Sequence, residues 1–288
     1  MTTDVPAAPA TATMSYVYAV GRAGPALDAA ARGLAGPADG PLRTVASGPL
    51  AALVSSVPAD AYGEEGLRAR LADLTELAAL ARAHHAVVDA AYARTTVLPL
   101  RLATVYLDDA RVRAMLDERG PAFAQALGRL EGQVELGVKV YADPRAAAAA
   151  EPEPQAAEDP ATAGRTPPEP GAPGPGRAYL RQRRQQRRRH QDAYRAAGAV
   201  AAGIRDRVAT IALDRVAHRP QQGELAGAAG ENIANDAYLV PARRVREFRR
   251  ALAGAADGLP GVRVELTGPW APYSFATPPP PAAPGEPR

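Results

Sequence analysis

The side chains able to hold a metal, move a proton or attack an electrophile are few and scattered. Four histidines and no cysteine are present, which removes thiolate metal sites, cysteine nucleophiles and disulfides from consideration. His84 and His85 are adjacent. On a helix such neighbours point about 100° apart, so one ion does not easily take both rings; core or surface roles are expected. His190 and His218 stand alone. Neither a glycine-rich phosphate loop, a Gly-x-Ser-x-Gly elbow nor a His-Glu-x-x-His helix occurs. The chain reads as a non-enzyme that uses no metal and no cofactor. Arg101 and Glu135 lie on the polar sides of their runs and are expected to pair across neighbouring strands.

The aromatic residues offer a chemistry of contact instead. Val262, Val264 and Leu266 alternate with Arg263, Glu265 and Thr267, the period of a half-buried strand. Gly268 and Pro269 are expected to stop it. The only tryptophan, Trp270, follows, with Tyr273 and Phe275 held by the rigid Pro272. Large rings close the open end of a core or, at a surface, clamp a partner. Trp270, Tyr273 and Phe275 are the candidates for either role, together with Pro99, whose missing N–H marks a sheet edge, and the nearby Arg101.

These residues need a scaffold, and composition bounds it. The chain has 288 residues, 47% hydrophobic but only 5% aromatic, so its cores are built from Leu, Val and Ala. The net charge of +3 is too mild to imply nucleic acid. All basic residues except Lys139 are arginine, a bias of coding more than of chemistry. No signal peptide or membrane-spanning run is visible, which predicts a cytoplasmic protein without membrane contact.

Along the chain, residues 1–13 and 277–288 are too poor in bulky apolar groups to fold and are expected to be disordered tails. Ser15 to Val20 reads as a strand, and Leu42 to Ala46 with Leu50 to Val57 as a hairpin. From Glu64 the apolar period becomes helical, with Leu67, Leu71, Leu74, Ala78, Ala81, His85, Val88 and Tyr92 forming one stripe of a long, largely buried helix. Val97 to Tyr106 reads as a strand. A helix capped by Asp108 or Asp109 and kinked near Gly120-Pro121 comes next, then a strand from Val134 to Val140. Residues 142–176, rich in Ala, Pro, Glu and Gly, predict a disordered insertion. A long helix should run from Arg177 to about Ala217, followed by a strand at Ile233 to Val240 and a helix from Pro241. The Arg181 to Arg189 stretch could neutralise phosphates, but the aromatic-rich strand of sheet-based RNA binders is missing. A solvated helix face is expected there.

The order of elements predicts an α+β chain of two small α+β domains: 14–95, and 96–276 with a ferredoxin-like plan of βαβ, long helix and βαβ interrupted by the insertion. The alternative boundary lies inside the insertion itself.

The run Gly268-Pro269-Trp270-Ala271-Pro272-Tyr273-Ser274-Phe275 resembles the terminal signature of the gas vesicle protein L/F family (GvpL/GvpF). Met14 to Val20 is similar to that family's first strand. Thr96 to Tyr106 is similar to its Val-Leu-Pro-Leu-Arg-Phe-Gly-Thr run, with Leu102 in place of Phe and Ala103 in place of Gly. Glu135 to Tyr141, Gly176 to Leu180 and Asn235 to Val240 match further blocks; Leu136 replaces Trp and Ala271 replaces Pro. The resemblance implies an accessory protein that helps assemble gas vesicles, located in the cytoplasm and at the vesicle. Its implied partners are the apolar shell subunit and other gas vesicle proteins. A minor structural component retained on the vesicle wall is the alternative, and a nucleic-acid-binding module a weaker one.

Overall fold

The computed structural model describes residues 12–32, 34–149, 175–220 and 230–276. The expected terminal tails lie almost wholly outside these, as does most of the expected insertion. By compactness the chain forms two units, one of residues 1–135 and 269–288 and the other of 136–268.

The first unit is organised on β1 (Thr13–Arg22), whose residues Tyr16 to Val20 are completely buried. The sheet order is β2-β3-β1-β4, with β5 also pairing with β1. β2 (Leu42–Ser47) and β3 (Leu50–Pro58) form the expected hairpin, closed by Gly48-Pro49 with Gly48 at φ 55°. A register shift between Val17 and Ala19 marks a bulge at Tyr18. Helices α1 (Pro25–Ala31) and α4 (Leu74–Tyr92) bury Leu27, Leu80, Val87, Val88 and Ala91 with Tyr16, Tyr18 and Leu53 of the sheet. Helices α5 (Asp109–Glu118) and α6 (Gly120–Leu130) also pack on the strands, but none of their residues joins that cluster. β1 is therefore covered on both faces, which explains its unbroken burial.

Three expectations are revised here. The long helix breaks at Asp73, whose carboxylate accepts from the Thr75 and Glu76 N–H groups and so starts α4 afresh after the short α2 (Ala59–Tyr62) and α3 (Glu64–Ala72). Leu71 and Leu74 are consequently exposed, by 38% and 81%. The strand read at Val97 to Tyr106 is two short ones, β4 (Val97–Pro99) and β5 (Val105–Tyr106), around a turn with Ala103 at φ 64°. Because both hydrogen-bond to β1, residues 96–135 belong with the first sheet, and the cut expected near residue 95 falls inside this unit.

The second unit takes most of β6 (Gln133–Ala142), then α7 (Pro144–Ala149), α8 (Pro175–Val208), β7 (Asp214–His218), β8 (Glu231–Pro241), α9 (Val245–Leu252) and most of β9 (Val262–Trp270). The order β7-β8-β6-β9 is the ferredoxin-like arrangement. The run at Val97, expected as its first strand, is not part of it: β6 takes the first place and β7 the second. The long helix stops at Val208 instead of running to Ala217, the Leu213 N–H bonds the Leu239 carbonyl, and β7 pairs antiparallel with β8. The first residues of the expected insertion are ordered as α7 because Asp143 caps it through the N–H groups of Arg145 and Ala146. Val134, Leu136, Val138 and Val140 are buried in alternation along β6, as their spacing predicts. β9 does not stop at Gly268 but continues through it, at φ 98°, to Trp270.

Candidate partner-binding cavity

Past β4 the chain must turn sharply. The Leu100 N–H bonds the Tyr18 carbonyl at 2.8 Å, and the Thr104 N–H and Oγ1 both donate to the Arg101 carbonyl. Ala103 takes the left-handed conformation, and its N–H donates to the Tyr16 hydroxyl at 3.0 Å. This turn carries Leu100, Arg101 and Leu102 to one wall of an open cavity of about 570 Å³. Ala81, Arg82, His84 and His85 of α4 form a second wall, and Glu135, Trp270 and Tyr273 complete it.

The 3-10 turn Tyr273–Phe275 follows Pro272. It is tied down by Glu135, whose carboxylate accepts from the Ser274 N–H at 2.8 Å and Oγ at 2.7 Å. Arg101 lies beyond the end of β4, on an exposed turn. Arg101 is therefore not on a strand beside Glu135, the placement expected from sequence, although both residues line the cavity.

The two histidines serve different ends. His85 has Nε2 3.0 Å from Asp89 and Nδ1 3.2 Å from the Tyr273 hydroxyl, and its ring meets Trp270 edge-on at 5.4 Å. His84 is 3% exposed. Burial pushes its pKa down to about 4, so near neutral pH the ring carries one proton. The Tyr16 hydroxyl, whose pKa burial raises to about 12, lies in hydrogen-bond contact with Nδ1 at 3.0 Å. The Leu100 carbonyl is close enough to favour protonation of the ring, but no hydrogen bond of normal geometry reaches Nε2.

Of the residues singled out by sequence, Trp270 (41% exposed), the half-buried Tyr273 and Arg101 meet at this cavity. Phe275 does not: it is 3% exposed, and its carbonyl accepts from Arg129 at 2.6 Å. Pro99 is buried on β4 and lines a separate cavity of about 320 Å³ with Met115, Phe123 and Ala276. The three aromatics are thus one surface ring, one half-buried ring and one core ring. His84, Leu102 and Glu135 were not foreseen as lining residues. Of the arginine stretch, Arg183, Arg184, Arg187 and Arg188 are exposed, and the other side chains from 181 to 189, with His190, lie outside the described ones. Among the described residues no group of three or more His, Asp or Glu is placed to hold a metal ion, and no helix is long and apolar enough to cross a membrane.

The structure defines a two-unit α+β chain, and sequence comparison gives its family. The family model "Gas vesicle synthesis protein GvpL/GvpF" matches residues 14–277, and the chain belongs to that family. Within it, the chain is 44% identical over 264 residues to gas vesicle protein L of Streptomyces sp. (strain CB03234), spanning 91% of this chain and 92% of the relative. It is 36% identical over 133 residues to gas vesicle protein F of the same strain, 46% of this chain and 50% of the relative. The fold matches the crystal structures of GvpF from Anabaena sp. PCC7120 (TM-score 0.61, 17% identity, 92% of this chain and 96% of that one) and from Microcystis aeruginosa (0.58, 18%, 92% and 99%).

Proposed function

We propose that this protein is a gas vesicle accessory factor that assists assembly by binding the apolar shell subunit before it is incorporated. Membership of the GvpL/GvpF family supports the gas vesicle role. The observation that carries the binding mode is the open cavity of about 570 Å³ with Trp270 41% exposed at its rim. A tryptophan left half in water beside Leu100 and Leu102 loses its hydration when a partner's apolar surface covers it, which is how aromatic anchors contribute most to an interface. The site works in the cytoplasm or at the growing vesicle, by contact and without covalent chemistry.

The test is co-purification of the shell subunit with the wild-type chain and with Trp270→Ala. Capture should fall about tenfold or more in the variant, the loss typical of a central aromatic anchor. Undiminished capture refutes the cavity as the binding site. Washing isolated vesicles distinguishes a transient helper, which is lost, from a wall component, which stays.

A further inference from the structure

The cavity has an extension along α4. Leu74, Ala78, Ala81 and His85 succeed one another at helical spacing, so they share a flank beside the face that buries Leu80, His84, Val87, Val88 and Ala91. Ala81 and His85 line the cavity, while Leu74 at the far end of the flank is 81% exposed. The flank is about 16 Å long at the helical rise of about 1.5 Å per residue. Its alanines permit the close approach of a second helix. The opposite wall, Leu100 to Leu102, is a turn and offers no extended edge to an added strand.

The polar groups at the cavity are unevenly committed. The Glu135 carboxylate is engaged by Ser274, and His85 by Asp89 and Tyr273. Against these stand two donors, the guanidinium groups of Arg82 and Arg101, both on exposed residues that line the cavity. An occupant that complements them brings hydrogen-bond acceptors. The last turn of a helix has four backbone carbonyls without intrahelical partners and the negative end of the macrodipole.

We propose that the site receives an apolar-faced helix of the partner, laid along the Leu74–His85 flank with its C-terminal turn in the cavity. The terminal carbonyls meet the two guanidinium groups. This rests on the partner-binding reading above and specifies the segment bound.

The experiment follows the emission of Trp270, the only tryptophan, in the full chain. The probe is a side-chain-stapled, apolar-faced helical peptide of about 12 residues, matched to the length of the flank, made with a free C-terminal carboxylate and as the amide. Both forms should shift the emission to the blue, the carboxylate form binding about fivefold more tightly. That preference should vanish in the double variant Arg82→Gln/Arg101→Gln. Leu74→Glu, at an exposed position outside the core, should weaken both forms about tenfold. Three results overturn the proposal: no emission change, affinities indifferent to both the terminus and Leu74→Glu, or the same spectral response to inorganic phosphate alone. Shell-subunit capture separates the two levels of inference. If Trp270→Ala abolishes capture while Leu74→Glu and the arginine variant capture fully, the helix proposal falls and the partner-binding reading stands. If Trp270→Ala captures fully, that reading itself falls.

Discussion

In the second unit, Asp236, 7% exposed, is bracketed by Arg215 at 2.9 Å and the Tyr238 hydroxyl at 3.4 Å, and Asn232 donates to the Val140 and Ala234 carbonyls. In the first unit, His84 Nε2 and Gln133 Oε1 are buried without a partner. Both unsatisfied buried side-chain atoms found among the described residues thus fall in the unit that holds the large cavity. An unpaired buried polar group costs about 1–3 kcal/mol, and such a cost concentrates where structure serves something other than stability. Among its described residues the second unit reads as a satisfied ferredoxin-like scaffold, whereas the first holds both unpaired atoms and the cavity.

The largest expected effect tests the scaffold side. Phe248 is fully buried with its ring 5.3 Å from that of Tyr238; Phe248→Ala should cost about 4 kcal/mol. Urea unfolding at several pH values should show the same loss at each, and a loss confined to acid would break the contrast. Next comes acid sensitivity in the first unit. The folded pKa of His84 is depressed to about 4 from 6.5, so its neutral form contributes stability that is complete above pH 6.5 and declines as pH falls toward 4. The decline is about 3 kcal/mol at about 1.4 kcal/mol per pKa unit. Thermal melts of His84→Gln between pH 7 and pH 4 should be flatter than wild type, and parallel curves would rule the histidine out.

Asp109 supplies a smaller effect of the same sign. The forked contact from Arg43, at 2.6 and 3.2 Å, holds its carboxyl below the usual carboxylate range. Its contribution is present above the unfolded carboxyl pKa and lost as pH falls through the lower folded value. Asp109→Asn should therefore cost about 1 kcal/mol at neutral pH, with the melting curves of variant and parent converging in acid. The smallest effect has the opposite sign. Ala103 sits at φ 64°, and relief of that strain outweighs the added freedom of the unfolded chain, so Ala103→Gly should stabilise by about 0.5 kcal/mol. A lower denaturation midpoint would show that the turn is not strained.

Ala103 also shows how the sequence could be read. The family pattern has glycine there, and the left-handed turn after Arg101 explains why. Elements with a clean apolar period were legible, among them the Leu42–Ser47 and Leu50–Pro58 hairpin and β6; the kink expected near Gly120-Pro121 is a separation of two helices at Arg119. β7 was hidden because its residues are mostly exposed and an edge strand need carry no buried alternation. The break at Asp73 was masked because the apolar stripe runs on past it while the capping carboxylate, not the stripe, decides where α4 begins. Residue type exposed Trp270, Tyr273 and Arg101. Nothing local announced that Glu135 would fasten Ser274 across a separation of 139 positions.

That fastening bears on how the polypeptide is made. The chain leaves its first unit after Glu135 and returns only at Pro269, delivering the fully buried Ala271 and the 3% exposed Phe275. During vectorial synthesis the portion translated earliest stays unsealed until the closing residues clear the ribosome. A stop placed directly after Gly268 spares every residue from Leu136 to Gly268 and injures instead the half that emerged first.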